Sequence, residues 1–196
     1  MIEATAKWVA SSTYLSIIVA IEINNEPRVA YYSQWLYYKN YVVSANTIIK
    51  SILPSMATMF HDGWWGYGLW QSYFSASDNV VIDIHNYWAF SASNASDAIN
   101  GACAFGQTVN SSHIPIFVGE FSLSVDGTTP GTVTWGKQFL ETQFKMWMNG
   151  AGGAFWSLKS MNPNGITQNV GWSLEELITV GVISNTSVWQ FANTQC

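Results

Sequence analysis

Short apolar runs that end in polar or aromatic residues alternate along the chain with longer stretches of helical periodicity. The runs at 17–23, 55–60, 80–85, 114–118 and 152–157 predict five strands. Nearly continuous apolar runs are typical of parallel strands that are buried on both faces. The stretches at 31–52, 97–110, 132–148 and 174–180 predict helices, with Ser96 and Ser173 as possible N-caps. This alternation predicts an α/β fold with its functional site at one face.

Two glutamates stand where apolar runs end, Glu26 after the first run and Glu120 after the fourth. At the carboxyl ends of parallel barrel strands, such side chains are placed for chemistry rather than for packing. Cleavage of a glycosidic bond requires a pair of carboxylic groups, one to protonate the leaving oxygen and one to attack or stabilise the anomeric centre. The alternative is that each glutamate caps the following helix or pairs with an arginine.

Length and composition narrow the class of protein. The 196 residues are enough for one domain with a sizeable core. A net charge of −5 with 10% charged residues gives no basic face for nucleic acid. No apolar window is long enough for a membrane-spanning helix, and the first residues lack the pattern of a secretory signal. The eleven tryptophans suit either a large core or platforms on which sugar rings stack.

Three glycosylation sequons and two cysteines favour a secreted protein whose front end is missing. The sequons begin at Asn94, Asn110 and Asn185. Cys103 and Cys196 have no further cysteine or histidine at metal-ligand spacing, so they fit one disulfide better than a zinc site. Two free thiols are the alternative.

Two architectures fit the predicted elements. One is an open doubly wound sheet, and the other is an eight-stranded barrel that would be only partly present, because a complete barrel needs about 250 residues. No strand is followed by a glycine-rich phosphate-binding motif, so the nucleotide-binding form of the open sheet has no support.

Several ordered motifs extend over nearly the whole chain: Asn25-Glu26-Pro27, His61-Asp62-Gly63, His85-Asn86-Tyr87-Trp88-Ala89-Phe90, Ala102-Cys103, Gly119-Glu120-Phe121, Phe155-Trp156-Ser157-Leu158-Lys159 and Gln195-Cys196. With these motifs the chain resembles glycoside hydrolase family five and, within it, the fungal exo-β-1,3-glucanases.

The resemblance implies a retaining hydrolase on a (β/α)8 TIM barrel, of which this chain would hold strands four to eight. Glu26 would be the general acid/base and Glu120 the nucleophile, with their carboxyl groups about 5–5.5 Å apart. Asn25 would hold the sugar 2-hydroxyl. His85 and Tyr87 would orient the carboxylates, with Tyr87 donating a hydrogen bond to Glu120.

The resemblance implies further roles outside this acid–base group. Trp156 would form the floor under the sugar at the cleavage point, and Phe90 would line the entrance. A bridge between Cys103 and Cys196 would tie the segment before the nucleophile strand to the end of the chain. No metal or cofactor is implied.

The chain also departs from the family pattern. We expect residues 1–196 to be one catalytic domain that lacks the first three barrel strands. The short segment 122–131 and the run 159–162, which lacks a sugar-binding carboxylate, leave the glucan linkage and the exo mode open. An endo-acting β-glucanase and a catalytically inactive glucan-binding fragment are the alternatives, and for these residues alone we expect inactivity. The parent would be a monomer acting on β-glucan, secreted or in the cell wall.

Overall fold

The computed structural model describes residues 1–90, 94–125, 132–160, 170–184 and 196. The chain divides into two compact units, Met1–Ile84 with His113–Pro115 and His85–Ser112 with Ile116–Cys196, which are described separately. The α-helices and strands are α1 (Ile2–Ser11), β1 (Ala20–Glu22), α2 (Tyr32–Ile52), β2 (Ala57–His61), α3 (Tyr67–Trp70), β3 (Val80–His85), α4 (Ala95–Ser111), β4 (Ile116–Phe121), α5 (Val133–Trp147), β5 (Gly153–Phe155) and α6 (Leu174–Thr179). Short 3-10 helices lie at Leu15–Ile17, Ala76–Asp78 and Val170–Trp172.

The first unit is built on three parallel strands. Ile21 of β1 pairs with Thr58 of β2, and Phe60 of β2 pairs with Ile82 of β3. The segment before β4 joins the same unit, because the Ile82 amide donates to the Pro115 carbonyl oxygen at 3.0 Å. The strands therefore point in one direction, and the polar residues that follow them leave at the same edge.

Helix α2 confirms the helix predicted at 31–52. It buries one stripe of side chains at helical spacing, which is the pattern of a helix with one face against a core: Trp35, Tyr38, Val42, Ala45 and Ile49. From the sequence, the predicted helix at 31–52 has Leu36, Val43 and Ile48 among its apolar positions, but these side chains are exposed. That part of the prediction is wrong because they lie outside the buried stripe.

The first strand is shorter than the predicted run at 17–23. Ala20 pairs with Ala57, the first residue of β2, so the backbone before Ala20 has no strand residue of β2 beside it. Residues 15–17 instead form a 3-10 turn, and Ile17 and Val19 are exposed. The expectation that the whole run is buried on both faces is therefore wrong.

The second unit pairs β4 with β5 in parallel, with Val118 opposite Gly153 and Phe121 opposite Phe155. Strand β4 continues beyond the predicted end at 118, so Glu120 lies within the strand and not after it. Helices α4 and α5 pack closely at Gly106, where an added Cβ would lie 2.3 Å from the Met146 sulfur.

Side-chain caps begin the helices of the second unit. Asn94, and not the predicted Ser96, caps α4, because its side-chain oxygen accepts the Asp97 amide hydrogen at 3.0 Å. Thr132 caps α5 in the same way, and Ser173 caps α6 as predicted. The expected bridge between Cys103 and Cys196 is also present, with 5.5 Å between the Cα atoms.

Within the described residues, no helix combines the length and the apolar character needed to span a bilayer. The predicted sequon at Asn185 lies outside the described residues.

Candidate active site

Glu26 lies in the first unit, four residues after the end of β1, on a backbone that side chains rarely adopt. Its φ is 41°, in the left-handed region. For a residue other than glycine this conformation costs about 1–2 kcal/mol. Such outliers concentrate at functional sites, where the surrounding structure holds them. Asn25 and Glu26 are both exposed, so their side chains are accessible to a ligand.

Tyr38 of α2 supports the segments that follow β1 and β2. Its hydroxyl donates to the His61 carbonyl oxygen at 2.5 Å and lies 3.0 Å from the side-chain oxygen of Asn24. Burial raises the pKa of Tyr38, so the hydroxyl keeps its proton. The helical periodicity of residues 31–52 carries no signal for this polar function of Tyr38.

The His61-Asp62-Gly63 motif organises its own loop. The Asp62 carboxylate accepts the amide hydrogens of Trp64 at 2.8 Å and Gly66 at 3.0 Å. The His61 Nδ1 atom accepts the Gly63 amide hydrogen at 3.0 Å, which assigns the imidazole proton to Nε2. The 3.4 Å approach of this Nδ1 to the Asp62 carboxylate is therefore not a charged pair. In the described structure, Asp62 holds a turn.

The Glu120 carboxylate in the second unit lies close to Tyr87 and His85, the two side chains that the resemblance implied. The Tyr87 hydroxyl donates to Oε2 of Glu120 at 2.6 Å. The Nδ1 atom of His85 lies 3.4 Å from the same oxygen. The His85 side chain is 2% exposed and that of Glu120 is 15% exposed, so water screens this group only partly. The hydrogen bond implied by the resemblance is present.

Main-chain bonds hold this group in place. The Asn86 amide donates to the Glu120 carbonyl oxygen at 2.9 Å, and the Trp156 amide donates to the Phe121 carbonyl oxygen at 2.8 Å. Glu120 is therefore carried by a strand that is bonded on both sides, and a side chain on a regular element is held more firmly than one on a loop.

Three aromatic rings lie close together, and one of them belongs to Tyr87, the donor to Glu120. The Tyr87 ring centroid is 6.1 Å from that of Phe90 and 5.1 Å from that of Trp172, and Phe90 and Trp172 are 6.2 Å apart. Phe90 is 79% exposed, which leaves one ring face open for contact. The family resemblance implied roles for Tyr87 and Phe90 but none for Trp172.

The position of Trp172 depends on the glycine before it. The Leu123 amide donates to the Gly171 carbonyl oxygen at 2.9 Å, and an added Cβ on Gly171 would lie 2.7 Å from the Ser124 nitrogen. The 3-10 turn can approach the segment after β4 this closely only because residue 171 has no side chain. The signal in the sequence was the Gly171-Trp172 pair directly before the Ser173 cap.

Trp156 follows β5 and is 53% exposed. The peptide bond between Trp156 and Ser157 is cis. The Ser157 amide donates to the Trp172 carbonyl oxygen at 3.0 Å, so the two tryptophan-bearing segments are bonded to each other. The second unit thus combines a held carboxylate with exposed aromatic side chains, and the first unit presents a second carboxylate on a constrained backbone.

Comparison with known proteins places these features in a family. Residues 2–174 match cellulase (glycosyl hydrolase family 5). Glucan 1,3-beta-glucosidase 1 of Schizosaccharomyces pombe is 28% identical over 203 residues, which cover 87% of this chain and 48% of that protein. A probable glucan 1,3-beta-glucosidase A of Aspergillus clavatus is 23% identical, over 92% of this chain and 52% of that protein. The chain spans about half the length of these relatives.

Solved structures share the fold. A rutinosidase from Aspergillus niger superposes with a TM-score of 0.78 at 19% identity, over 92% of this chain and 55% of that one. A family 5 mannosidase from Rhizomucor miehei gives a TM-score of 0.51 at 15% identity, over 87% and 52%. The predicted fold class, the strands and helices of a partial (β/α)8 TIM barrel, is confirmed. From the match over residues 2–174, the chain belongs to glycosyl hydrolase family 5.

Proposed function

We propose that this chain forms the catalytic part of a retaining glycoside hydrolase that cleaves β-1,3-glucan through a covalent glycosyl-enzyme. The carrying observation is the Glu120 carboxylate, which accepts the Tyr87 hydroxyl at 2.6 Å within a family 5 chain. The substrate proposal draws on the relatives, which are named glucan 1,3-beta-glucosidases.

Glu120 is assigned as the nucleophile because the Tyr87 hydroxyl and the His85 ring hold its carboxylate in a fixed position. Both Tyr87 and His85 lie at Oε2, which leaves Oε1 to attack the anomeric carbon. As the C–O bond to the leaving sugar breaks, Glu26 gives its proton to the leaving oxygen. Glu26 then takes a proton from water, whose oxygen displaces Glu120 and releases the sugar. Asn25 is assigned to the sugar 2-hydroxyl.

The aromatic side chains are assigned to substrate positioning. Trp156 and Phe90 are the most exposed rings of the group, at 53% and 79%, and a sugar ring can pack its C–H face on either. Trp172 contacts both Tyr87 and Phe90, and these three side chains form an aromatic wall.

Two alternatives use the same side chains. An endo-acting β-glucanase would keep both glutamates and differ in product length. A catalytically inactive glucan-binding form would use the exposed Phe90 and Trp156 without turnover. We further propose that residues 1–196 act as one catalytic domain of a monomeric protein, secreted or in the cell wall, with glucan catabolism or wall remodelling as its role.

The test is release of reducing sugar from laminarin, a β-1,3-glucan. The chain is compared with a form extended at its amino end to the length of its relatives, because the chain spans about half of them. Both forms are tested as wild type, as Glu120→Gln and as Glu3→Gln. Glu3→Gln is the matched control, since Glu3 lies on the exposed surface of α1. We expect the extended form to release glucose, Glu120→Gln to abolish release, and Glu3→Gln to leave it unchanged.

A 2-deoxy-2-fluoro glucoside tests the covalent step, because the fluorine slows hydrolysis of the glycosyl-enzyme. Peptide mapping should find the sugar on Glu120. A crystal structure of the extended form should place the carboxyl groups of Glu26 and Glu120 about 5–5.5 Å apart. If both forms bind laminarin without turnover, the binding alternative replaces the catalytic one. Short oligosaccharide products would favour the endo-acting enzyme.

A further inference from the structure

A pocket of about 410 Å³ lies in the second unit, and none of its lining residues belongs to the candidate active site. Its volume is in the range of small-ligand sites, roughly 300–1,000 Å³. Four carboxamide side chains line it, together with the buried Met146 and the two cysteines of the disulfide: Asn100, Gln107, Asn110 and Asn149.

The four amides are available to a ligand. Asn100, Gln107 and Asn110 lie at helical spacing on one face of α4, and Asn149 lies in the turn after α5. All four residues are exposed. Within the described part of the chain, none of their side chains has a hydrogen-bonded protein partner. A carboxamide both donates and accepts hydrogen bonds, so the rim offers both kinds of group to a neutral polar ligand.

One of these amides is also a sequon residue. Asn110 begins Asn110-Ser111-Ser112, whereas neither Asn100 nor Asn149 is followed by serine or threonine two residues later. The other described sequon residue, Asn94, already uses its side chain to cap α4 and donates to the Asp97 carboxylate at 2.7 Å. Asn110 is therefore the described sequon residue that lines this polar pocket.

We propose that Asn110 carries an N-linked glycan whose first N-acetylglucosamine lies in this pocket. The inference rests on the proposed secretion of the protein. The co-reactant is a lipid-linked oligosaccharyl diphosphate. The Asn110 amide nitrogen bonds to C1 of the sugar, the C1–O bond to the diphosphate breaks, the lipid diphosphate leaves with the electron pair, and an N–H proton passes to a base of the transferase.

Because the sugar is covalently linked to Asn110, weak contacts are sufficient to hold it in the pocket. A short covalent link gives an effective concentration in the millimolar range, so the sugar need not bind tightly on its own. Its hydroxyl and acetamido groups are donors and acceptors, which matches the side chains of Asn100, Gln107 and Asn149. The sugar then lies against Cys103, which lines the pocket, and hinders attack of a thiolate on the disulfide.

The experiment compares two single-serine variants of the chain, expressed with a secretion leader in yeast. Ser112→Ala removes the sequon and leaves Asn110 in place. Ser111→Ala is the matched control, because it changes the neighbouring serine and keeps the sequon. Secreted and retained chain are both digested, and occupancy of Asn110 is read by peptide mass spectrometry. We expect high occupancy in the wild type and in Ser111→Ala.

The location of the sugar is tested after endoglycosidase H, which leaves a single N-acetylglucosamine. The rate of disulfide reduction by dithiothreitol is measured on both treated variants. We expect the Ser111→Ala protein, which keeps one sugar, to be reduced several-fold more slowly than Ser112→Ala. An unoccupied Asn110 overturns the modification site, and equal rates overturn the pocket location. Neither readout uses glucan turnover, so loss of the proposed hydrolase activity would leave both results unaffected.

Discussion

Removal of the Tyr87 hydroxyl is the most direct test of how Glu120 is prepared for attack. Tyr87→Phe deletes the 2.6 Å donor to Oε2 and keeps the ring that contacts Phe90 and Trp172. Hydrogen bonds to charged groups contribute about 1.5–3 kcal/mol. The Glu120 side chain is only 15% exposed, so water replaces the lost donor poorly.

At about 1.36 kcal/mol per tenfold change in rate, this range corresponds to a loss of about 10- to 150-fold in kcat/KM. Because His85 remains 3.4 Å from the same oxygen, we expect the lower part of that range. The assay measures kcat and KM of the extended form on laminarin. Tyr37→Phe is the matched control, since that ring is 81% exposed. A Tyr87→Phe enzyme within twofold of wild type, with unchanged thermal stability, would refute the role of this hydrogen bond.

Three further predictions concern the stability of the fold, all measured by urea unfolding. Burial raises the pKa of Tyr38, so the stabilisation that the protonated hydroxyl provides is present below the pKa of the unfolded chain and is lost as the pH rises above about 10. Tyr38→Phe should therefore reduce the loss of unfolding free energy at alkaline pH. An unchanged dependence on pH would contradict this prediction. Gly101→Ala should destabilise by about 1–3 kcal/mol, because its Cβ would lie 2.1 Å from an indole ring, whereas Gly68→Ala, with nothing within 4 Å, should be neutral. Cys196→Ser should lower the free energy of unfolding by about 4–5 kcal/mol, because the bridge to Cys103 closes a loop of 93 residues. A loss below about 1 kcal/mol would show that the disulfide does not constrain the unfolded chain.

Elements with strong local signals were predicted closely. Strand β3 matches the predicted 80–85, and α2 ends at Ile52, two residues before Pro54, which cannot continue a helix. The hydrogen bond between Tyr87 and Glu120 was implied by the family resemblance of the two motifs, and the structure contains it.

Features that depend on tertiary contacts were missed. The extent of β1 is set by where β2 begins beside it, and an apolar run does not contain that information. Asn94 replaced Ser96 as the helix cap because both residue types can cap, and only the backbone decides between them. The polar role of Tyr38 and the placement of Trp172 arise from contacts between segments distant in the chain.

The close approach at Gly171 offers a route to altered substrate selectivity. Gly171, which has no assigned contact with substrate, determines the position of Trp172. Any side chain at residue 171 would push the 3-10 turn away from Ser124 and move Trp172 with it. A mutant library limited to the residues that are assigned to contact the sugar would not include residue 171. Graded substitutions at 171, from alanine to valine, would shift Trp172 relative to Tyr87 and Phe90 in small steps without replacing any side chain assigned to the chemistry.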